Sequence, residues 1–191
     1  MNGGYFTNAG VFLVDALFGI YIFLVMLRFL FQLVRADFYN PLSQAIVTAT
    51  NPPLRPMRRV IPPLGAIDTS TLVLMVLLQL LSTWITTSLV GVSAAPGGLI
   101  VIALAELVSK TVWIFIGAVI IQVIASWVAP GAYNPLLAIV DSLTAPLMQP
   151  VRRLIPPLGG LDLSPLFVIL GLQLMLILVV APLRDLGIAL A

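Results

Sequence analysis

The chain has 191 residues, of which 61% are hydrophobic and 8% charged, with a formal net charge of +2; its mean hydropathy of +1.16 leaves too little polar surface to coat a soluble globule. It contains no cysteine and no histidine, which excludes disulfides, thiol nucleophiles, imidazole bases, His-ligated haem and the usual zinc sites. The pI near 9.4 does not argue for nucleic acid, because the arginines cluster beside apolar stretches; no direct nucleic-acid partner and no cofactor is expected.

Four stretches are long enough to cross about 30 Å of hydrocarbon, which takes roughly 20 helical residues. The first, predicted at 11–34, follows ten residues without Lys or Arg. It is too long for the core of a cleavable signal peptide and reads as a retained span. Asp15 lies near its start and Arg28 deep within it.

Next, Asn40-Pro41 reads as a helix start, since Asn caps orphan amides and Pro suits the first helical position. Leu42, Ala45, Ile46 and Ala49 fall on one apolar face, with Ser43, Gln44 and Thr48 largely elsewhere. These residues predict a short amphipathic helix at the headgroup level over 40–50, ending before Pro52. The Pro-rich stretch that follows, through Pro62, Pro63 and Gly65, is expected to be an extended hairpin packed at the mouth of the bundle. Ser70 is the expected N-cap of a second span at 71–92, with Asp68 complementing the helix dipole or pairing with an arginine of the same loop. Gly91, Pro96, Gly97 and Gly98 read as a turn between the second and third spans.

The segment from Arg58 to Ser70 then returns from Arg152 to Ser164, displaced by 94 positions without a gap. From Asn40 to Gln79, 18 of 40 positions are identical to those from Asn134 to Gln173. The chain is therefore a duplication. The second copy predicts a third span at 108–128, a helix over 134–144 opened by Asn134 and Pro135, and a fourth span at 163–183. Its apolar face comprises Leu136, Ile139, Val140 and Leu143, and it ends before Pro146. Pro156, Pro157, Gly159, Asp162 and Ser164 repeat the earlier loop and cap.

The fold class that follows is an all-α membrane protein with four transmembrane helices. They form two parallel two-span repeats, 1–94 and 95–191, each with a short interfacial helix and a Pro/Arg-rich loop. Two spans separate equivalent positions, so orientation is preserved and the halves relate by a pseudo-two-fold axis along the membrane normal. Arg35, Arg55, Arg58, Arg59, Arg152 and Arg153 then share one side, against Arg184 on the other. The positive-inside bias places the Arg loops in the cytoplasm of a bacterial inner membrane and both termini outside.

The pairs Arg58-Arg59 and Arg152-Arg153 are the leading candidates for a functional surface, binding anionic lipid or a membrane-protein partner. The structural reading is that they fix topology and cap carbonyls, and a third is that they line a solute pathway. Arg28, Gln79, Gln122 and Gln173 fall at similar depth and predict one buried polar layer, either a solute path or interhelical glue. Glu106 and Lys110, spaced i,i+4, predict a surface pair, with Asp15 approaching Lys110 from the first span.

Taken with Asp37-Phe38-Tyr39-Asn40-Pro41 and Ser126-Trp127-Val128, the twin motif at 56–72 and 150–166 resembles the YggT/YlmG family in its duplicated bacterial form. The resemblance covers essentially the whole chain. It implies no catalytic residue; bacterial relatives are associated with tolerance of osmotic shock and with genes near the cell-division cluster. Plastid relatives are associated with nucleoid distribution, thylakoid biogenesis and haem attachment to a cytochrome, which here could only be assistance, since no His or Cys is present. The expected function is therefore non-enzymatic envelope homeostasis through the paired Pro/Arg loops, with a small oligomeric channel or transporter as the alternative. Expected partners are membrane lipids, anionic ones among them, and membrane proteins or further copies of the chain.

Overall fold

A computed structural model describes residues 4–65, 67–128, 134–155 and 162–191. Within them lie α1 (Tyr5–Leu33), α2 (Pro41–Val60), α3 (Thr69–Leu89), α4 (Pro96–Val128), α5 (Pro135–Leu154), α6 (Ser164–Met175) and α7 (Ala181–Ala189). A π turn, Leu176–Val180, joins α6 to α7 and ends two positions before Pro182, which lacks an amide for the helical ladder. Four helical stretches among the described residues are long and apolar enough to cross a membrane: Tyr5–Leu33, Thr69–Leu89, Pro96–Val128 and Ser164–Ala189.

α1 and α4 begin well before the predicted 11–34 and 108–128 but end within one residue of them, and the final helix runs past the predicted 163–183, because a helix starts and stops at caps and breakers rather than at the edge of the hydrocarbon. The stops are local: Arg35 adopts φ 54° after α1, and the Ala36 amide donates back to the Phe31 carbonyl at 2.8 Å, a left-handed C-terminal cap. Pro96, Gly97 and Gly98 open α4 instead of forming a turn, leaving the turn to Gly91 at φ +79°.

Asn40 and Asn134 cap α2 and α5, accepting from the amides of Leu42 and Leu136, each at 2.9 Å, with Pro41 and Pro135 at the first helical position. The predicted ends at Pro52 and Pro146 are wrong. Both helices continue to Val60 and Leu154 with Pro52, Pro53, Pro56, Pro146 and Pro150 inside. Proline's fixed φ is itself helical, and the lost bonds are offset by anchoring beyond the break: Leu54 is fully buried and its repeat mate Met148 is 1% exposed. The buried stripe of α2 is Ser43, Ile46, Thr50 and Leu54, so Ala45 and Ala49 face outward, contrary to the predicted face.

The largest core gathers Ile22, Val25, Met26 and Leu30 of α1, Leu54, Leu74, Met75 and residues of α4 and α5. A second forms where Val112, Ile116 and Val119 meet Met148, Val168 and Leu172. α1 packs on α3, α3 on α4, and α4 on the last span; α2 and α5 pack on their own repeats and on each other. Between α1 and α4 a cleft of about 430 Å³ is walled by Gly19, Leu27, Leu42, Trp113, Ile121 and Leu136, among others. These are repeat mates at the 94-residue offset, so an approximate two-fold passes through the cleft. The packing of α3 on α4 is not matched to the same extent between α6 and α1 among the described residues, which breaks that symmetry.

Candidate functional site

The Arg-rich ends of α2 and α5 are built alike. Arg58 donates to the Asp68 carboxylate, and its repeat mate Arg152 donates from Nε to Asp162 at 2.9 Å. Each bond ties the C-terminal end of a surface helix to the start of the next span. Asp68, not Ser70, is the N-cap of α3, accepting from the Thr71 amide and, at 2.7 Å, from the Thr71 hydroxyl. Asp162 accepts from the Ser164 amide at 2.9 Å. Ser70 lies inside α3 and donates to the Ile61 carbonyl; Ser164 opens α6, its Oγ buried without an acceptor among the described residues. An aspartate takes the cap because it can also answer the arginine, which a serine hydroxyl cannot.

Burial alone would raise the Asp68 carboxyl, but the bonds from Arg58 and Thr71 outweigh it and hold the group below the usual carboxylate range. Burial likewise opposes, and Ser164 and Arg152 likewise depress, the Asp162 carboxyl. Between Arg58 and Asp68, Pro62 and Pro63 lead into a tight turn, where Leu64 and Ile67 exchange backbone bonds of 3.1 Å and Gly65 sits at φ +61°, a region glycine enters without strain. The mates Pro156, Pro157 and Gly159 lie outside the described residues.

With Arg58 and Arg152 committed to these latches, Arg55, Arg59 and Arg153 are exposed and make no hydrogen bond or ion pair among the described residues. The two helices meet at their N-terminal ends, where Asn40 Nδ2 donates to the Pro135 carbonyl at 2.7 Å.

The predicted polar layer does not form. Arg28, 8% exposed, reaches α2: its Nη1 donates to Thr50 Oγ1 at 2.7 Å, Asn51 Oδ1 at 3.0 Å and the Val47 carbonyl at 3.2 Å. Gln122 makes the matching tie to α5, donating to Asp141 at 2.7 Å and accepting from Thr144 at 3.0 Å. Gln79 bonds to neither, donating instead to Thr83 of its own helix at 3.3 Å. Gln173 is half-buried with no side-chain bond among the described residues. Chain depth alone could not reveal that Arg28 and Gln122 turn towards the surface helices; the identical Thr50 and Thr144, within an otherwise divergent stretch, were the available signal.

Towards the other end, Glu106 and Lys110 pair at 3.6 Å as expected, and Arg184 also binds Glu106, a tie between α4 and α7 that the sequence reading missed. Asp15 shares a cavity of about 400 Å³ with Gln79, Thr83, Glu106 and Lys110, but makes no ion pair with Lys110.

Fold and site together define a multi-pass α-helical membrane protein made of two copies of one two-span unit. The profile of the family described as CCB3/YggT matches residues 7–89 and again 101–183, the same offset of 94, and the chain belongs to that family. It is 47% identical over 181 residues to "Uncharacterized protein PA0392" of Pseudomonas aeruginosa, covering 91% of this chain and 89% of the relative. It is 38% identical over 168 residues to "Uncharacterized protein in proC 3'region" of Vibrio alginolyticus, covering 87% and 90%. To "Uncharacterized protein YggT" of Escherichia coli it is 34% identical over 164 residues, covering 85% of each. No solved structure matches the chain.

Proposed function

We propose that this protein is a non-enzymatic scaffold of the bacterial inner membrane. In this reading α2 and α5 form one cytoplasmic, headgroup-level platform that binds anionic lipid and docks membrane-protein partners, serving envelope homeostasis such as osmotic-stress tolerance or assembly of membrane machinery. The observation that carries it is the twice-built latch: one arginine of each pair is held by an aspartate, which fixes the helix end while its neighbour, Arg59 or Arg153, is exposed and unpaired among the described residues. Six arginines in and beside these helices match the cytoplasmic bias, and each exposed one adds about 1 kcal/mol of attraction to an anionic surface. Phe38 and Tyr39, just before α2, and Trp127, at the end of α4, are exposed, suiting the aromatic belt of a headgroup region.

The latch also sharpens the test. Arg59→Gln with Arg153→Gln removes two free charges without touching an ion pair, and capture on phosphatidylglycerol vesicles should weaken while thermal stability holds. Unchanged capture removes this surface from the account.

A second reading, a small oligomeric channel or transporter, is favoured by the polar cavity of Asp15, Gln79, Glu106 and Lys110, where Gln79 Oε1 is buried without a partner among the described residues. It has lost the support of a shared midplane layer. In reconstituted liposomes the scaffold reading expects no solute or ion flux; flux abolished by Gln79→Leu would replace it with the channel.

A further inference from the structure

A cavity of about 580 Å³ lies between α1, α2 and the turn before α3. Its charged lining is Arg28, Arg35, Arg58 and Asp68, three cations against one carboxylate, and that carboxylate is already bonded to Arg58. Two deeply buried groups face it with hydrogen-bonding capacity unspent. Arg28 uses only Nη1 towards the protein, so Nε–H and both Nη2 protons have no acceptor among the described residues. Ser43 is 5% exposed and its Oγ has no partner among the described residues. The Ser43 hydroxyl, buried with no partner among the described residues, is costly unless a ligand completes it, and the spare Arg28 donors, which are not fully buried, remain open to one.

Arg35 adds a third observation. It occupies the left-handed position that normally selects glycine, and a non-glycine residue held there is a strain that function can explain. Apart from Gln32, the remaining wall is apolar, including Phe31, Ile46, Val47 and Ile61, so the site would accept an anion attached to a hydrocarbon body better than a free hydrated ion.

The second repeat dismantles the same site. Its matched positions carry Gln122 for Arg28, Ala129 for Arg35, Leu137 for Ser43 and Asp141 for Val47. Both cations and the hydroxyl are lost, and a carboxylate is gained. The tie from span to surface helix survives there through Thr144, so the charge in the first repeat is not needed to hold the helices together.

We propose that Arg28, Arg35 and Ser43 form a single binding pocket, one per chain, for the phosphate of an anionic phospholipid, with the acyl portion lying along the apolar wall. Arginine suits this because its planar fork meets a phosphate with paired charge-assisted bonds. The proposal deepens the lipid-binding reading above, from a diffuse surface to a stoichiometric site on different residues.

Native mass spectrometry of the full chain in detergent, titrated with phosphatidylglycerol or phosphatidylcholine, should show one retained phosphatidylglycerol. Arg28→Gln copies the second repeat, and Ser43→Ala removes the hydroxyl without adding bulk; each should weaken that adduct by about tenfold. Arg35→Gly should weaken it similarly while raising the melting temperature, an opposition that structural damage cannot produce. Arg59→Gln with Arg153→Gln should leave the single adduct in place, which separates failure of the pocket from failure of the surface. Retention unchanged by Ser43→Ala and Arg35→Gly, equal retention of phosphatidylcholine, or competition by inorganic phosphate as effective as by lipid would overturn the proposal.

Discussion

Asp68 carries three bonds at 6% exposure, whereas Asp162 is half-buried and carries two. Removing the carboxylate strands Arg58 and the Thr71 hydroxyl, so Asp68→Asn should cost about 1–3 kcal/mol in denaturant unfolding. Asp162→Asn should cost about 0–1 kcal/mol, the range of exposed pairs. Because folding depresses both carboxyls, their contribution is present above the ordinary value of 3.8 and disappears as pH falls through the lower folded value. The gap between wild type and Asp68→Asn should therefore be constant through neutral pH and close only in strong acid; a gap that closed near pH 6 would contradict the latch. This part of the site was legible in sequence, since Arg, Asp and their spacing recur intact. The partners of Arg28 were not, because they depend on which way two helices turn towards each other.

The surface helices were the least legible elements. Proline is a local signal for a break, yet α2 and α5 are held by contacts that no local signal carries. Leu54→Ala should cost about 2–5 kcal/mol, as for any core leucine, whereas a helix ending before Pro52 would leave that position near neutral. Where α4 meets α7, a Cβ on Gly187 would lie 2.9 Å from the Ile102 backbone nitrogen, so Gly187→Ala should destabilise by about 1–3 kcal/mol. Gly97, on the same helix as Ile102, has nothing within 4 Å of a built Cβ; Gly97→Ala should be neutral or stabilise by about 0.5–1 kcal/mol. Thermal melts of both variants in one detergent compare the two directly.

At the scale of the whole molecule, hydropathy and the gapless repeat sufficed for four spans in two units, because apolar length and period are properties of the chain itself. The broken two-fold was not readable: α3 lies against α4, a packing not matched to the same extent between α6 and α1 among the described residues, and identical motifs can pack unequally. The central claim is that both arginine-bearing helix ends share one cytoplasmic face. The chain has no native cysteine, so Arg59→Cys and Arg153→Cys can be labelled one at a time with a membrane-impermeant maleimide. Both should be silent in intact spheroplasts and both labelled in inverted membrane vesicles. Labelling of the two from opposite sides, or of both from outside, would contradict the paired cytoplasmic platform.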